Sequence, residues 1–303
     1  MPRTTSRLGP TLGLVGAMVL WASSFIALKF AFRHFDPWVV IFGRMVVASL
    51  CFAPFLKGLS TSFRMKDLKL MVFMAVCEPG LYFVFEAKAL TYTSASQAGM
   101  ITAMLPLMVA AAAAAVLKER LTKRMVLGFA MAVVGALWLS VISESDAHAP
   151  NPMLGNFLEF MAMVCATGYM ICCKRLSARY GSWFLTAVQS LVGAVFYLPL
   201  LLLPSTQLPT SFPPLPTASI IYLGSAVTLL AYGLYNYGLS RLPAGQSSAF
   251  INLIPVITVL LGHLILGEEF TGWQYAASAV VMLGVLVSQE SAGRESPLPS
   301  STL

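Results

Sequence analysis

Charge is scarce in this chain. Asp, Glu, Lys and Arg make up 10% of its 303 residues, and there are only three histidines and five cysteines. Each shortage excludes something. His34 and His148 fall between apolar runs and His263 stands alone in one, so no paired His/Asp set or Cys/His spacing suits a metal or catalytic centre. No cofactor, metal or intramembrane enzyme site is expected. Cys51, Cys77, Cys165, Cys172 and Cys173 all lie within apolar stretches, where a thiol acts as a small hydrophobe rather than part of a disulfide framework. The net charge of +7 is carried by basic residues that flank apolar runs instead of forming a stripe. That pattern argues against nucleic acid as a partner.

What is abundant is apolar sequence, at 58% of residues with a mean hydropathy of +0.79. Runs of about 20 residues recur throughout, each long enough to cross about 30 Å of hydrocarbon. Soluble helices show an apolar stripe and a polar face instead. Ten spans are expected, with boundaries uncertain by about 2–4 residues. They are Thr11–Ala31, Trp38–Phe55, Leu70–Ala89, Ser94–Leu117, Arg124–Ile142, Met153–Lys174, Trp183–Leu203, Leu215–Gly238, Ala244–Leu266 and Gly272–Gln289. Run length favours helices, because barrel strands alternate over only about 10 residues. The first run is too long, and lacks the small-residue cleavage site, for a removed signal peptide. The lipid bilayer is therefore the first partner. Residues 291–303 are polar and proline-rich, and are expected to be disordered.

Lys and Arg in the short loops set orientation. One set of ends carries fifteen of them, from Arg3 and Arg7 through Lys118, Arg120 and Arg241 to Arg294. The other has Arg33, with Lys29 and Lys88 near helix ends. That asymmetry places both termini in the cytoplasm, as in an inner-membrane protein.

The span pattern occurs twice. Ala95–Gly135 aligns without a gap on Ala244–Gly284 at an offset of 149, with eight of 41 positions identical. Gln97 falls on Gln246, Pro106 on Pro255, Glu119 on Glu268, Thr122 on Thr271 and Gly135 on Gly284. The first two spans match at an offset of 145, with Lys29 on Lys174, Trp38 on Trp183, Arg44 on Gln189 and Pro54 on Pro199. The change of offset falls in a loop, where length differences are tolerated. Residues 1–142 form one five-span repeat, 143–152 a connecting loop, 153–290 the second repeat and 291–303 the tail. Five is odd, so the second copy is inverted. Inverted repeats are typical of proteins that move a solute by alternating access.

With WASSFIALKF (Trp21–Phe30), KERLT (Lys118–Thr122) and GEEFT (Gly267–Thr271), each of the last two followed by a helix with a small-residue stripe, the chain resembles the drug/metabolite transporter superfamily, EamA type. It departs from the common pattern at Met125 and Ala277. The resemblance implies an all-α membrane fold of ten helices in two inverted repeats. It further implies a secondary transporter of small amphipathic metabolites, amino acids or related compounds, with export as the direction; the alternative is an organic-cation or multidrug exporter. An enzyme or a channel is disfavoured, since no filter-like repeat or soluble signalling domain is present.

The residues suggest where a solute would bind. A charge within a bilayer usually faces a cavity or a partner. Glu78 lies about nine residues into its span, hence near the midplane, and shares a face with Tyr82 and Glu86 at i, i+4 and i+8. Glu78 is the strongest candidate for a cationic group or a coupling proton; the alternative is a buried Glu satisfied by a neighbouring hydroxyl. Pro79 beside it loosens the helix. Trp21, Tyr82, Tyr169, Tyr232, Tyr235, Asn236, Phe250 and Asn252 supply the aromatic and amide groups of a pocket for a small-molecule substrate. Arg44 and Glu86 differ by roughly 5 Å in depth and can pair, either as an outer gate or as a permanent structural pair, with Glu159 at similar depth. Pro106 and Pro255 are either hinges or static kinks. Glu119 and Glu268 are expected near helix N-termini, with Thr122 and Thr271 as N-caps. Gln97 and Gln246 are expected to cap helices, and His263 to be hydrogen-bonded structure. Gly128, Gly135, Ala276, Ala277 and Gly284 allow close helix contact, internally or in a homodimer.

Overall fold

The structure is a computed structural model, in which residues 8–53, 64–117, 122–145, 149–242, 247 and 250–289 are described. Glu119, Gln246, Pro54, His148 and the 291–303 tail lie outside the described residues. Among the described residues there is no strand. The described residues hold ten apolar helices, six of them long and apolar enough to cross a membrane and four shorter. In chain order they are α1 (Leu8–Phe32), α2 (Pro37–Phe52), α3 (Met65–Tyr92), α4 (Ala95–Ile101 and Leu105–Leu117, joined by a 3-10 turn), and α5 (Lys123–Ile142). Then follow α6 (Pro152–Leu176), α7 (Ser182–Leu202), α8 (Pro214–Arg241), α9 (Phe250–Leu266) and α10 (Gly272–Gln289). The chain is a multi-pass membrane protein.

Helix α3 begins at Met65 rather than Leu70. Its first turn carries Lys66, Asp67 and Lys69, and hydropathy cannot see a polar turn where a helix emerges from lipid.

The helices are not uniform, and the irregularities recur in both halves. Helix α3 changes to π geometry over Val76–Leu81, and α8 over Leu223–Ala231. In α4 a 3-10 turn, Thr102–Met104, precedes Pro106; in α9 the turn Phe250–Asn252 precedes Pro255. The first turn has a simple cause. Pro106 has no N–H for the carbonyl of Thr102, so the N–H of Leu105 takes that carbonyl one residue early.

Packing has the same twofold character. Helix α1 packs on α8 as α6 does on α3, α1 on α9 as α6 does on α4, and α2 on α8 as α7 does on α3. Helices α2 and α7, α4 and α9, and α5 and α10 pair across the halves. The α5–α10 contact is where the glycines act. A Cβ on Gly135 would lie 2.8 Å from the backbone N of Val281, and one on Gly284 would lie 2.6 Å from the carbonyl O of Gly128. The stripe of small residues therefore serves an internal interface.

Two lysines explain another repeated position. Lys29 donates to the carbonyl of Thr93 (2.6 Å), at the C-terminus of α3. Lys174 donates to the carbonyls of Leu239 (2.7 Å) and Leu242 (2.9 Å), at the C-terminus of α8. Each ammonium meets the carbonyls that a helix end leaves without intrahelical donors.

Candidate functional site: a buried cavity beneath an open cleft

The centre of the bundle is organised by the break in α3. Pro79 cannot donate within the helix, and Glu78 leaves helical geometry at φ −152, ψ 121. Donors from α7 reach the carbonyls at the break. Tyr197 OH donates to the carbonyls of Pro79 (3.0 Å) and Gly80, and Gln189 Nε2 donates to that of Glu78 (3.4 Å). Buried polar backbone is tolerated here because a neighbouring helix supplies donors.

The break turns the Glu78 side chain into a cavity of about 40 Å³ that it shares with Trp21, Tyr82, Tyr169, Tyr232, Arg44 and Glu86. Tyr232 OH donates to Glu78 Oε1. Val227, the repeat counterpart of Glu78, lines the same cavity from the π segment of α8. Trp21 meets Tyr232 edge-on at 5.0 Å between centroids, and its indole N–H has no hydrogen-bond partner. A water needs about 10–15 Å³ of such space, so the cavity has room for about three waters but no metabolite.

The ionic residues sit on its wall. Arg44 Nη1 is 3.8 Å from Glu86 Oε2, with side chains 2% and 4% exposed. Arg44 Nε donates to Thr228 Oγ1 (3.0 Å), and the guanidinium lies 4.2 Å over the Phe83 ring. Glu86 Oε1 accepts from Tyr82 OH (2.9 Å). Arg44 and Glu86 are thus brought together, as their depths suggested.

Four residues expected in the pocket stand outside its wall. Asn236 is fully buried behind it, accepting from Tyr169 OH (2.7 Å) and donating to Thr186 Oγ1 (2.9 Å). Phe250 and Asn252 flank Ile251, which lines the cavity in their place with Ile254. Ile251 and Ile254 are three apart and share that face, and Phe250 and Asn252 fall to either side of it. Tyr235 packs on Trp21 at 4.8 Å and directs its hydroxyl at Met170 Sδ (3.5 Å). Sequence reasoning missed Tyr197, Thr102 and Thr228. The clue for Thr228 was its place beside Val227, the counterpart of Glu78.

At one end of the bundle opens a cleft of about 590 Å³, lined by Lys29, Arg33, Thr91, Ser94, Gln97, Glu144, Glu268, Glu269 and Gln274, among others. Here Glu268 accepts from the backbone N–H groups of Ala95 and Ser96, both at 2.9 Å. A carboxylate at a helix N-terminus was expected, but the helix is α4 of the other half rather than the following α10. Helix α10 is capped locally instead. Gln274 N donates to Thr271 Oγ1 (3.3 Å) and Thr271 N donates to Gln274 Oε1 (2.8 Å), a reciprocal capping box. Ser94, not Gln97, caps α4 from its own chain segment. The Gln97 side chain joins a buried amide cluster, accepting from Asn156 Nδ2 (3.0 Å). His263 Nδ1 lies 3.2 Å from the carbonyl of Glu268. At the opposite end Arg179 pairs with Asp67 (3.0 Å), and Tyr180 OH donates to Asp67 (2.9 Å). All five cysteines are free, and no group of three or more His, Cys, Asp or Glu suited to a metal occurs among the described residues.

Comparison with known proteins adds the family. The profile of the EamA-like transporter family matches residues 9–141 and again 153–288. The chain is 28% identical over 285 residues to the uncharacterized transporter YcxC of Bacillus subtilis (strain 168), covering 91% of each. It is 27% identical over 283 residues to a probable terminal-alkyne amino-acid exporter of Streptantibioticus cattleyicolor, covering 93% of this chain and 94% of that one. A probable amino-acid metabolite efflux pump of Salmonella typhimurium is 25% identical over 182 residues, covering 57% of this chain and 60% of the pump. A crystal structure with 20% identity covers 95% of this chain at a TM-score of 0.68, which supports the fold. Two profile matches spanning nearly the whole chain, on a bundle of ten apolar helices, show that it belongs to the EamA-like transporter family of the drug/metabolite transporter superfamily, whose members are transporters and not enzymes.

Proposed function

We propose that this transporter exports small amphipathic metabolites with a cationic group, amino acids or related compounds, by alternating access. The observation that carries this reading is the central cavity, where Glu78 sits among Trp21, Tyr82, Tyr169 and Tyr232 at a break in α3. Aromatic faces and a carboxylate suit an ammonium group attached to an apolar body. The cavity is too small for that solute as it stands, and a larger cleft opens at one end of the bundle. Such an arrangement fits one state of a cycle in which the halves rock about a central site. Pro106 and Pro255, each next to a 3-10 turn, are the proposed hinges, and Arg44–Glu86 the proposed gate pair. Two repeats of five spans, residues 1–142 and 153–290, would be mutually inverted. The loop cations would place both termini in the cytoplasm and the cleft on the outer face. The exporter names of two relatives support the direction and the amino-acid class.

A second reading, an organic-cation or multidrug exporter, is favoured by the aromatic walls, which demand no carboxylate on the solute. The test is uptake into proteoliposomes of a panel of amino acids and organic cations, with and without a pH gradient. Saturable uptake of amino acids, lost in Glu78→Gln and Trp21→Ala, is expected. Uptake of organic cations alone would favour the second reading, and no uptake of any solute would sink both.

A further inference from the structure

Four charged side chains are buried in the bundle among the described residues: Arg44, Glu78, Glu86 and Glu159. Three carboxyl groups thus face one guanidinium. Arg44 is engaged with Glu86, and Glu78 accepts from Tyr232. Glu159 is different. It is 0% exposed, and neither carboxyl oxygen has a hydrogen-bond partner. An ionised carboxylate without donors is strongly disfavoured in an apolar interior, and such a group takes up a proton instead.

Its position is defined by neighbouring glycines. Helices α6 and α3 pack antiparallel, with Gly155 against Thr93 and Ala89 and Gly168 against Cys77. Between these contacts Glu159 falls level with Glu86. On its own helix it lies three residues after Asn156 and four before Met163, so the three share a face. Met163 lines the central cavity. Asn156 donates to Gln97, which lines the open cleft, and to Ser140 (3.0 Å), and it accepts from Thr93 (2.8 Å). Hydrogen-bonded polar side chains therefore run from the cleft through Gln97 to Asn156, Glu159 follows one turn along α6 without a hydrogen bond to them, and Met163 one turn further reaches the cavity wall.

We propose that Glu159 is a proton-binding site of this transporter, reached from the cleft through Gln97 and Asn156 and working beside Glu86. The inference rests on the transport reading for its purpose, but not for its test. Helix α3 brings Glu86 and Tyr82 to the site, and α2 brings Arg44 through Glu86. Helix α4 carries no titratable group within the described residues Ala95–Leu117. The nearest groups on α8 are Tyr232 and Tyr235, and the charges of α5 lie at its ends. With Glu159 protonated, Arg44 pairs with Glu86 and Glu78 accepts from Tyr232. When the proton leaves, one negative charge is uncompensated, and a cationic solute in the cavity supplies the missing positive charge. One proton is exchanged for one cation, and the site's charge is conserved.

The test is infrared titration of the wild type, Glu159→Gln, Glu159→Asp and Glu86→Gln in lipid, with no solute present. The wild type should show a protonated-carboxyl C=O band that Glu159→Gln removes and Glu159→Asp shifts. An unchanged band in Glu159→Gln would overturn the proposal. So would a Glu159→Gln protein that fails to fold, since the amide is the neutral isostere of the proposed resting form. In proteoliposomes, one-for-one exchange turns a gradient of about one pH unit into about tenfold accumulation. Glu159→Gln should abolish that accumulation while keeping solute counterflow, and equal loss of both would count against coupling at this residue. A wild type that moves no solute would sink the transport reading and leave the infrared result to decide the proton site.

Discussion

Replacing Arg44 by Met tests whether the buried ion pair is an energetic unit. At 3.8 Å, and with an effective dielectric of about 20, the attraction between Arg44 and Glu86 is about 4 kcal/mol. Desolvation of two charges cancels much of it, so the intact pair contributes little net stability. Breaking it is another matter. Arg44→Met leaves Glu86, 3% exposed, without a cation beside it and with Tyr82 as its hydrogen-bond donor, and removes the hydrogen bond to Thr228. A loss of about 3–5 kcal/mol is expected, as for other single truncations of buried pairs. Glu86→Gln strands Arg44 in the same way. The double substitution strands neither charge, and should be markedly more stable than either single variant. Thermal unfolding of all four proteins in lipid nanodiscs gives the coupling. Additive losses, with a coupling below about 0.5 kcal/mol, would refute the argument and make Arg44 and Glu86 independent residues.

Gly284→Ala places a Cβ 2.6 Å from the carbonyl O of Gly128 and 2.7 Å from the N of Ala132, both backbone atoms. Helices α5 and α10 must separate, at about 1–3 kcal/mol, and a cysteine cross-link between them should form more slowly; unchanged cross-linking would show that they are not held at this distance. Tyr197→Phe removes the donor facing Pro79 and Gly80. It should destabilise by about 1–3 kcal/mol and speed hydrogen exchange around residue 80, and wild-type exchange would mean that the α3 break needs no support from α7. Glu268→Gln leaves at most one acceptor for the two N–H groups of α4 and loses the charge at its N-terminus. Destabilisation by about 0.5–2 kcal/mol is expected, read as lower thermal stability in nanodiscs, and an equal or greater stability would contradict the clamp.

Some of the site was legible in sequence because it depends on rare residues. A lone Glu beside a Pro in an apolar run, Glu78–Pro79, announces both a cavity and a break. Arg44 and Glu86 betray each other because neither can be left alone in hydrocarbon. The glycines matched at 135 and 284 pointed to a close contact, and that contact is α5 against α10. The partners of other residues were not legible. Glu268 caps α4 rather than α10, and Gln97 pairs with Asn156 instead of capping, because both choices depend on helices far away in sequence. The π segment of α8 has no proline to announce it. Phe250 and Asn252 stand outside the cavity wall, which Ile251 and Ile254 line instead, because residues two apart do not share a helix face.

The scarcity of charge, the length of the apolar runs and their duplication were enough to determine a ten-helix membrane protein built from two related halves. Those properties are local: each helix must satisfy its own backbone in lipid, whatever its neighbours are. The tertiary structure decided what the few buried polar groups do. Near-identical apolar faces can pack in many ways, and only the packing assigns Arg44 to Glu86 and Tyr232 to Glu78 while leaving Glu159 with no hydrogen-bond partner.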